Sequence, residues 1–182
     1  MKLIETGFRG LAALEPKVFG DARGYFMESY NARVLTDLGL EANFVQDNQS
    51  FSTQGVVRGL HYQNAPYAQT KLVRVLQGKI LDVVVDLRRA EPTFGKWFSV
   101  ELSSENKKQL YVPKGFAHGF AVLSDTAEIL YKCDAYYNKE SEGGLYFNDP
   151  ALKIDWQISP DAAVLSDKDR VNPMLINAVH NF

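Results

Sequence analysis

The sequence predicts an all-β protein, closed as a sandwich, barrel or jelly roll, with a few short helices. Three observations carry this expectation. Aromatic side chains are plentiful, with 11 Phe, 9 Tyr and 2 Trp among 182 residues, and they fit pleated sheets. The 13 glycines supply turns between strands. Short apolar segments bounded by turn residues recur along most of the chain, while only one segment has clear helical spacing.

In chain order, residues 24–30 (GYFMESY) form the first strand pattern, aromatic and bounded by glycine. Asn31 then caps a helix in which Val34, Leu35 and Leu38 recur at helical spacing, and Gly39 ends it. Residues 56–62 are the next strand. Residues 71–76 and 79–87 flank Gln77-Gly78 and read as a hairpin. In the second of these, Leu81, Val83, Val85 and Leu87 share one face, and Ile80, Asp82, Val84 and Asp86 share the other. One apolar and one mixed face suit a barrel or sandwich wall. Residues 97–102, 109–112, 117–123 and 127–131 continue the series, and the tail after Pro160 holds short helical turns.

No repeat, low-complexity tract or Pro/Ser-rich linker divides the chain, so residues 1–182 are read as one domain, long enough to bury a sizeable core unaided. Lys and Arg total 20 against 22 Asp and Glu, a formal net charge of −2. A duplex-binding surface shows a basic excess, so no nucleic-acid partner is expected; a basic pocket for one small anion remains compatible. The single cysteine, Cys133, makes no internal disulfide and calls for no oxidising compartment. The opening MKLIETGFRG lacks the apolar core of a signal peptide. No run approaches the roughly 18 apolar residues that span a bilayer. No membrane association is expected, and the cytoplasm is the expected location.

Chemistry concentrates at a few positions. His61 in VRGLHYQ and His118 in PKGFAHGF both lie in short strand patterns, whereas His180 is near the end of the chain. By strand parity His61 shares a face with Val57, Lys71 with Val73 and Val75, His118 with Phe116, Phe120 and Val122, and Tyr131 with Ile129. Each alone has a plain reading: an edge lysine, a satisfied core histidine, a packed tyrosine. Together they place polar groups on inward faces, where a lysine is costly unless something compensates. Arg23 and Arg58 each precede a glycine, a placement suited to presenting guanidinium to phosphate.

The P-x-G-x-x-H spacing in PKGFAHGF resembles the second motif of the cupin superfamily of small β-barrels. Metal-binding cupins draw further ligands from their first motif, which here reads His61-Tyr62-Gln63. Two histidines do not complete a site that needs three or four ligands, so the expectation is a cupin-type jelly-roll barrel with no metal. Phosphate-loop, dinucleotide and nucleophile-elbow motifs are absent from the sequence, which removes support for ATP hydrolysis, nicotinamide redox chemistry and serine hydrolysis.

LEPKVFGDARGYFMESY, FVQDNQS, VVRGLHYQ, TKLVRVLQGKILDVVVDLR, PTFGKW, VPKGFAHGF and SEGGLYFNDP resemble, in order and without large gaps, the dTDP-4-dehydrorhamnose 3,5-epimerase family. The similarity runs over about residues 14–169. It implies a homodimer, no cofactor, and a nucleotide-sugar substrate. It also implies roles: His61 as catalytic base, Asp169 as its paired carboxylate, Lys71 as the cation beside the sugar ketone and Tyr131 as proton donor. Arg23, Glu28, Gln46, Asp47, Asn48, Arg58, Lys71, His118, Glu142 and Lys168 fall on substrate-binding positions.

The residues suit that chemistry. Carbons on either side of a 4-keto group bear acidified protons; a base removes one and a donor on the opposite face returns it, inverting the centre. Imidazole can act as the base, a carboxylate can fix its tautomer, an ammonium can stabilise the enolate, and a phenol can donate. Two other readings remain: an epimerase acting at one carbon or on a related 4-keto nucleotide sugar, and a catalytically silent sugar-nucleotide-binding cupin.

Overall fold

A computed structural model describes residues 1–182. Two antiparallel sheets face each other. The larger contains β1 (Lys2–Glu5), β2 (Ala12–Glu15), β5 (Gln46–Thr53), β7 (Lys71–Gln77), β10 (Gln109–Val112) and β12 (Thr126–Cys133), in the order β1-β2-β10-β7-β12-β5. The smaller contains β6 (Val57–Gln63), β8 (Lys79–Asp86), β9 (Trp97–Ser103), β11 (Phe116–Val122) and β13 (Glu142–Gly144), in the order β13-β6-β11-β8-β9. A separate hairpin pairs β3 (Val18–Asp21) with β4 (Gly24–Met27). This is the jelly-roll architecture expected of a cupin-type barrel.

Alternation along the strands divides the apolar residues among three clusters. Between the sheets, Val73, Val75 and Ile129 meet Ile80, Val84, Phe116, Phe120 and Val122. Behind the smaller sheet, Val57, Leu60, Leu81, Val83 and Val85 are covered by Leu145, Phe147 and Trp156 of the C-terminal segment. Behind the larger sheet, Leu14, Leu72 and Tyr111 receive Leu35 of α1 (Ala32–Asp37). The helix starts as its sequence predicts: Asn31 Oδ1 accepts the Arg33 and Val34 backbone N–H groups at 3.0 and 3.3 Å. Gly39, at φ +74°, ends it. The tail turns are also present, as 3-10 turns at Pro160–Ala162 and Leu175–Asn177 around α2 (Asp167–Arg170).

The expected hairpin at Gln77-Gly78 is not one. β7 and β8 lie in different sheets, so Gly78 turns a corner of the barrel. Its φ is +76°, and a Cβ there would sit 2.0 Å from the Thr126 carbonyl oxygen, a position only glycine fills. The strand expected over residues 24–30 is confined to β4, in the exposed hairpin. The strongly polar β5, at the edge of the larger sheet, has no apolar alternation to announce it.

Candidate active site

The site opens between the sheets, and a local irregularity in β6 builds it. Against β11, Ala121 pairs with Val57, Phe120 with Arg58 and His118 with His61. Two steps along β11 therefore span three along β6, a bulge at Gly59-Leu60. Gly59 has φ +111°, and a Cβ on it would meet Gly119 Cα and the His118 carbonyl oxygen at 2.7 Å. The extra residue reverses parity. Val57, Leu60 and Tyr62 pack behind the sheet, while Arg58 and His61 face the barrel interior and line its cavity. The expectation that His61 shares a face with Val57 is thus overturned, yet His61 points inward because of the bulge.

Asp169 reaches His61 from the tail. Val164 bonds back to the start of β6, with Val57 N–H donating to its carbonyl at 3.0 Å, and Ser166 Oγ caps α2 by accepting the Asp169 N–H at 3.2 Å. Asp169 is buried, its Oδ1 2.5 Å from His61 Nε2 and its Oδ2 accepting the Gly59 N–H at 3.4 Å. Burial alone would raise its pKa; the hydrogen bond and charge of His61, with the Gly59 and Ser166 bonds, outweigh it and hold the carboxyl below its usual range. A carboxylate only accepts, so His61 Nε2 carries the hydrogen and Nδ1 is bare.

Lys71 opens β7 between Val112 and Cys133. Desolvation lowers its pKa, against the opposing influence of Cys133, Asp82 and Glu142. Tyr131 lies on β12, and burial, then Cys133, push its phenol up while Arg58 opposes them. His61, Lys71 and Tyr131 line a cavity of ≈ 390 Å³ together with Arg58, His118, Lys168 and Asp169. The same three side chains line an adjoining cavity of ≈ 180 Å³ that holds Gln46, Asn48 and Glu142. Arg58 is held by Ser52 Oγ at 3.0 Å and the Phe51 carbonyl at 3.3 Å. Glu142 accepts from Tyr137 Oη at 3.0 Å and pairs with Lys168. Its burial, which would raise its pKa, is outweighed by those bonds and by the Lys168 and His61 charges, and the carboxyl is held low. A base, an ammonium and a phenol thus share one partly enclosed space, the set that proton transfer beside a ketone requires.

A family model described as dTDP-4-dehydrorhamnose 3,5-epimerase matches residues 5–177. The chain belongs to this family. It is 53% identical over 170 residues to the dTDP-4-dehydrorhamnose 3,5-epimerase of Shigella flexneri, covering 93% of each chain. The crystal structure of the Elizabethkingia anophelis enzyme superposes with TM-score 0.92 at 54% identity, covering 96% of each chain. A Legionella pneumophila dTDP-6-deoxy-D-glucose-3,5-epimerase, solved in complex with dTDP-4-keto-L-rhamnose, superposes with TM-score 0.92 at 48% identity, over 97% of this chain and 93% of that one. The protein is an epimerase, an isomerase of the dTDP-rhamnose pathway family.

Three substrate-binding expectations are not brought, within one chain, to the two cavities around His61 of this epimerase. Arg23 sits on the exposed β3–β4 hairpin and forks Asp21. Glu28 follows that hairpin and is exposed. Asp47 alternates outward from Gln46 and Asn48 and pairs with Lys132 at 3.0 Å. Gln63 serves the fold: its amide donates to the Tyr67 carbonyl at 2.7 Å and accepts the Asn138 N–H at 2.7 Å. No three His, Cys, Asp or Glu side chains gather as a metal-holding set. Tyr137 at the cavity and Asp82 behind His118 were not singled out by sequence reasoning. The Tyr136-Tyr137 pair and the one acid flanked by valines and leucines in LDVVV were the available signals.

Proposed function

We propose that the epimerase inverts carbons 3 and 5 of dTDP-4-dehydro-6-deoxy-D-glucose, giving dTDP-4-dehydro-L-rhamnose, without a cofactor. The observation that carries the mechanism is the 2.5 Å contact between His61 and buried Asp169, on a cavity shared with Lys71 and Tyr131. His61 Nδ1 removes the proton beside the ketone, and the Asp169 carboxylate stabilises the imidazolium that forms. Lys71 stabilises the enolate oxygen where water is scarce and charge matching is strongest. Tyr131, kept protonated by its raised pKa, returns a proton from the other face. Arg58, His118, Lys168, Gln46, Asn48 and Glu142 hold the nucleotide sugar.

Arg23, Glu28 and the exposed Phe19, Tyr25 and Phe26 around them support a homodimer in which the hairpin packs on a second copy; a single chain leaves this aromatic surface uncovered. Incubating the protein with the 4-keto sugar nucleotide in heavy water tests the reading. Deuterium is expected at both carbons with the native chain and at neither with His61→Ala. Label at one carbon alone would indicate a single-carbon epimerase, and near-normal turnover by His61→Ala would remove His61 as the base.

A further inference from the structure

β8 carries two fully buried carboxylates on its inward face, Asp82 and Asp86, and they are treated differently. Asp86 is saturated: Oδ1 accepts from the Arg88 backbone N–H and Nε at 3.0 and 2.8 Å, and Oδ2 from Arg88 Nη2 and Thr93 Oγ1 at 2.7 and 2.6 Å. Asp82 has one partner, His118 Nε2, 2.8 Å from Oδ1. Its Oδ2 is buried and unpaired. Its cross-strand neighbours are Phe120 and Val100. Such a carboxylate weakens a fold, and nothing in the surrounding packing calls for an acid.

Its position relative to the cavity gives it a use. His118 lines the cavity and is the direct cross-strand partner of His61; Asp82 stands behind it. Accepting the Nε2 hydrogen leaves His118 Nδ1, which has no protein partner, for the cavity. Lys71 is faced by His61 of β6, by Tyr131 and Cys133 of β12, by Asp82 of β8 and by Glu142 of β13, with apolar Val112 beside it on β10. Burial raises the Cys133 thiol, which keeps it neutral, and Glu142 is paired with Lys168. Asp82 is the one carboxylate among these groups with no Lys or Arg partner of its own.

We propose that Asp82 is a positioning residue for the reaction: it fixes the His118 ring with Nδ1 toward the substrate and supplies the negative charge that balances the Lys71 ammonium in the cavity. This rests on the role given to Lys71 above. Removing the charge leaves desolvation of Lys71 less opposed, so its ammonium is lost at lower pH. Asp82→Asn and the apolar Asp82→Leu are compared with the native chain in steady-state kinetics across pH and in thermal melts. The expected result is a fall in kcat of tenfold or more, a raised KM as His118 loses its orientation, an alkaline limb of kcat/KM moved to lower pH, and a Tm equal to or above native. Either variant suffices if the other does not fold. A kcat within twofold of native, or an unmoved alkaline limb, overturns the proposal, and a lowered Tm with intact kcat assigns Asp82 to structure. If the native chain itself does not turn over the sugar nucleotide, the reading of Lys71 fails and this proposal falls with it.

Discussion

Replacing Asp169 by Asn changes few atoms and tests the proposed His61–Asp169 dyad directly. One carboxylate oxygen lies 2.5 Å from His61 Nε2, and the other accepts the Gly59 N–H. Asn keeps the second contact by turning its carbonyl oxygen to Gly59, which places its NH2 against His61. The amide then donates to Nε2, and the neutral ring must carry its hydrogen on Nδ1, the atom proposed as base. The imidazolium formed in the reaction also loses its counter-charge. The same substitution in serine-protease triads lowers kcat by about 10⁴ through the wrong tautomer. With Lys71, Tyr131 and the cavity intact, a loss of about 10³–10⁴-fold is expected here, roughly 4–5.5 kcal/mol in the barrier. KM should change little, because the Asp169 carboxylate is already engaged by His61 and Gly59. The assay is the rate of solvent deuterium entry into carbons 3 and 5, followed by mass spectrometry. An Asp169→Asn protein that exchanges label within tenfold of native would refute the dyad.

Tyr131→Phe keeps the proposed base but removes the proposed donor, so solvent deuterium should still exchange while product epimer falls at least tenfold; equal losses of both would place Tyr131 in proton removal. Gly59→Ala drives a Cβ to 2.7 Å from two backbone atoms at φ +111°. A destabilisation of about 3 kcal/mol or more is expected in urea unfolding, and an unchanged midpoint would contradict the tight bulge. Asp86, Glu142 and Asp169 are held low in the folded chain: burial opposes this in each, but hydrogen bonds and cations prevail. Lowered folded values mean that their stabilisation is complete above the unfolded values of about 4 and is lost as pH falls through the folded ones. Urea midpoints should therefore fall between pH 6 and pH 3, and a flat profile would oppose it.

What the sequence by itself determined is what neighbouring residues decide. Turn residues between short apolar runs mark strands, and Asn31, Leu35 and Gly39 mark α1, because caps and periodicity act within a few residues. The ordered motifs carry the family resemblance and hold His61 and Lys71 themselves, while Tyr131 and Asp169 lie outside them. The tertiary structure decided which strands pair and which way they face. Gly78 looks like a hairpin turn but sends β7 and β8 into different sheets, since strand partners are chosen by packing across the whole barrel and not by the turn alone. One extra residue at Gly59-Leu60 reverses the parity of β6, and side-chain period two makes such a slip turn every later residue to the other face. Asp169 meets His61 across 108 positions, from a four-residue helix held by Val164 and Ser166. Arg23 stays out on a hairpin whose aromatic side chains one chain alone leaves uncovered. Distances like these are set by packing between remote segments, and local sequence carries no record of them.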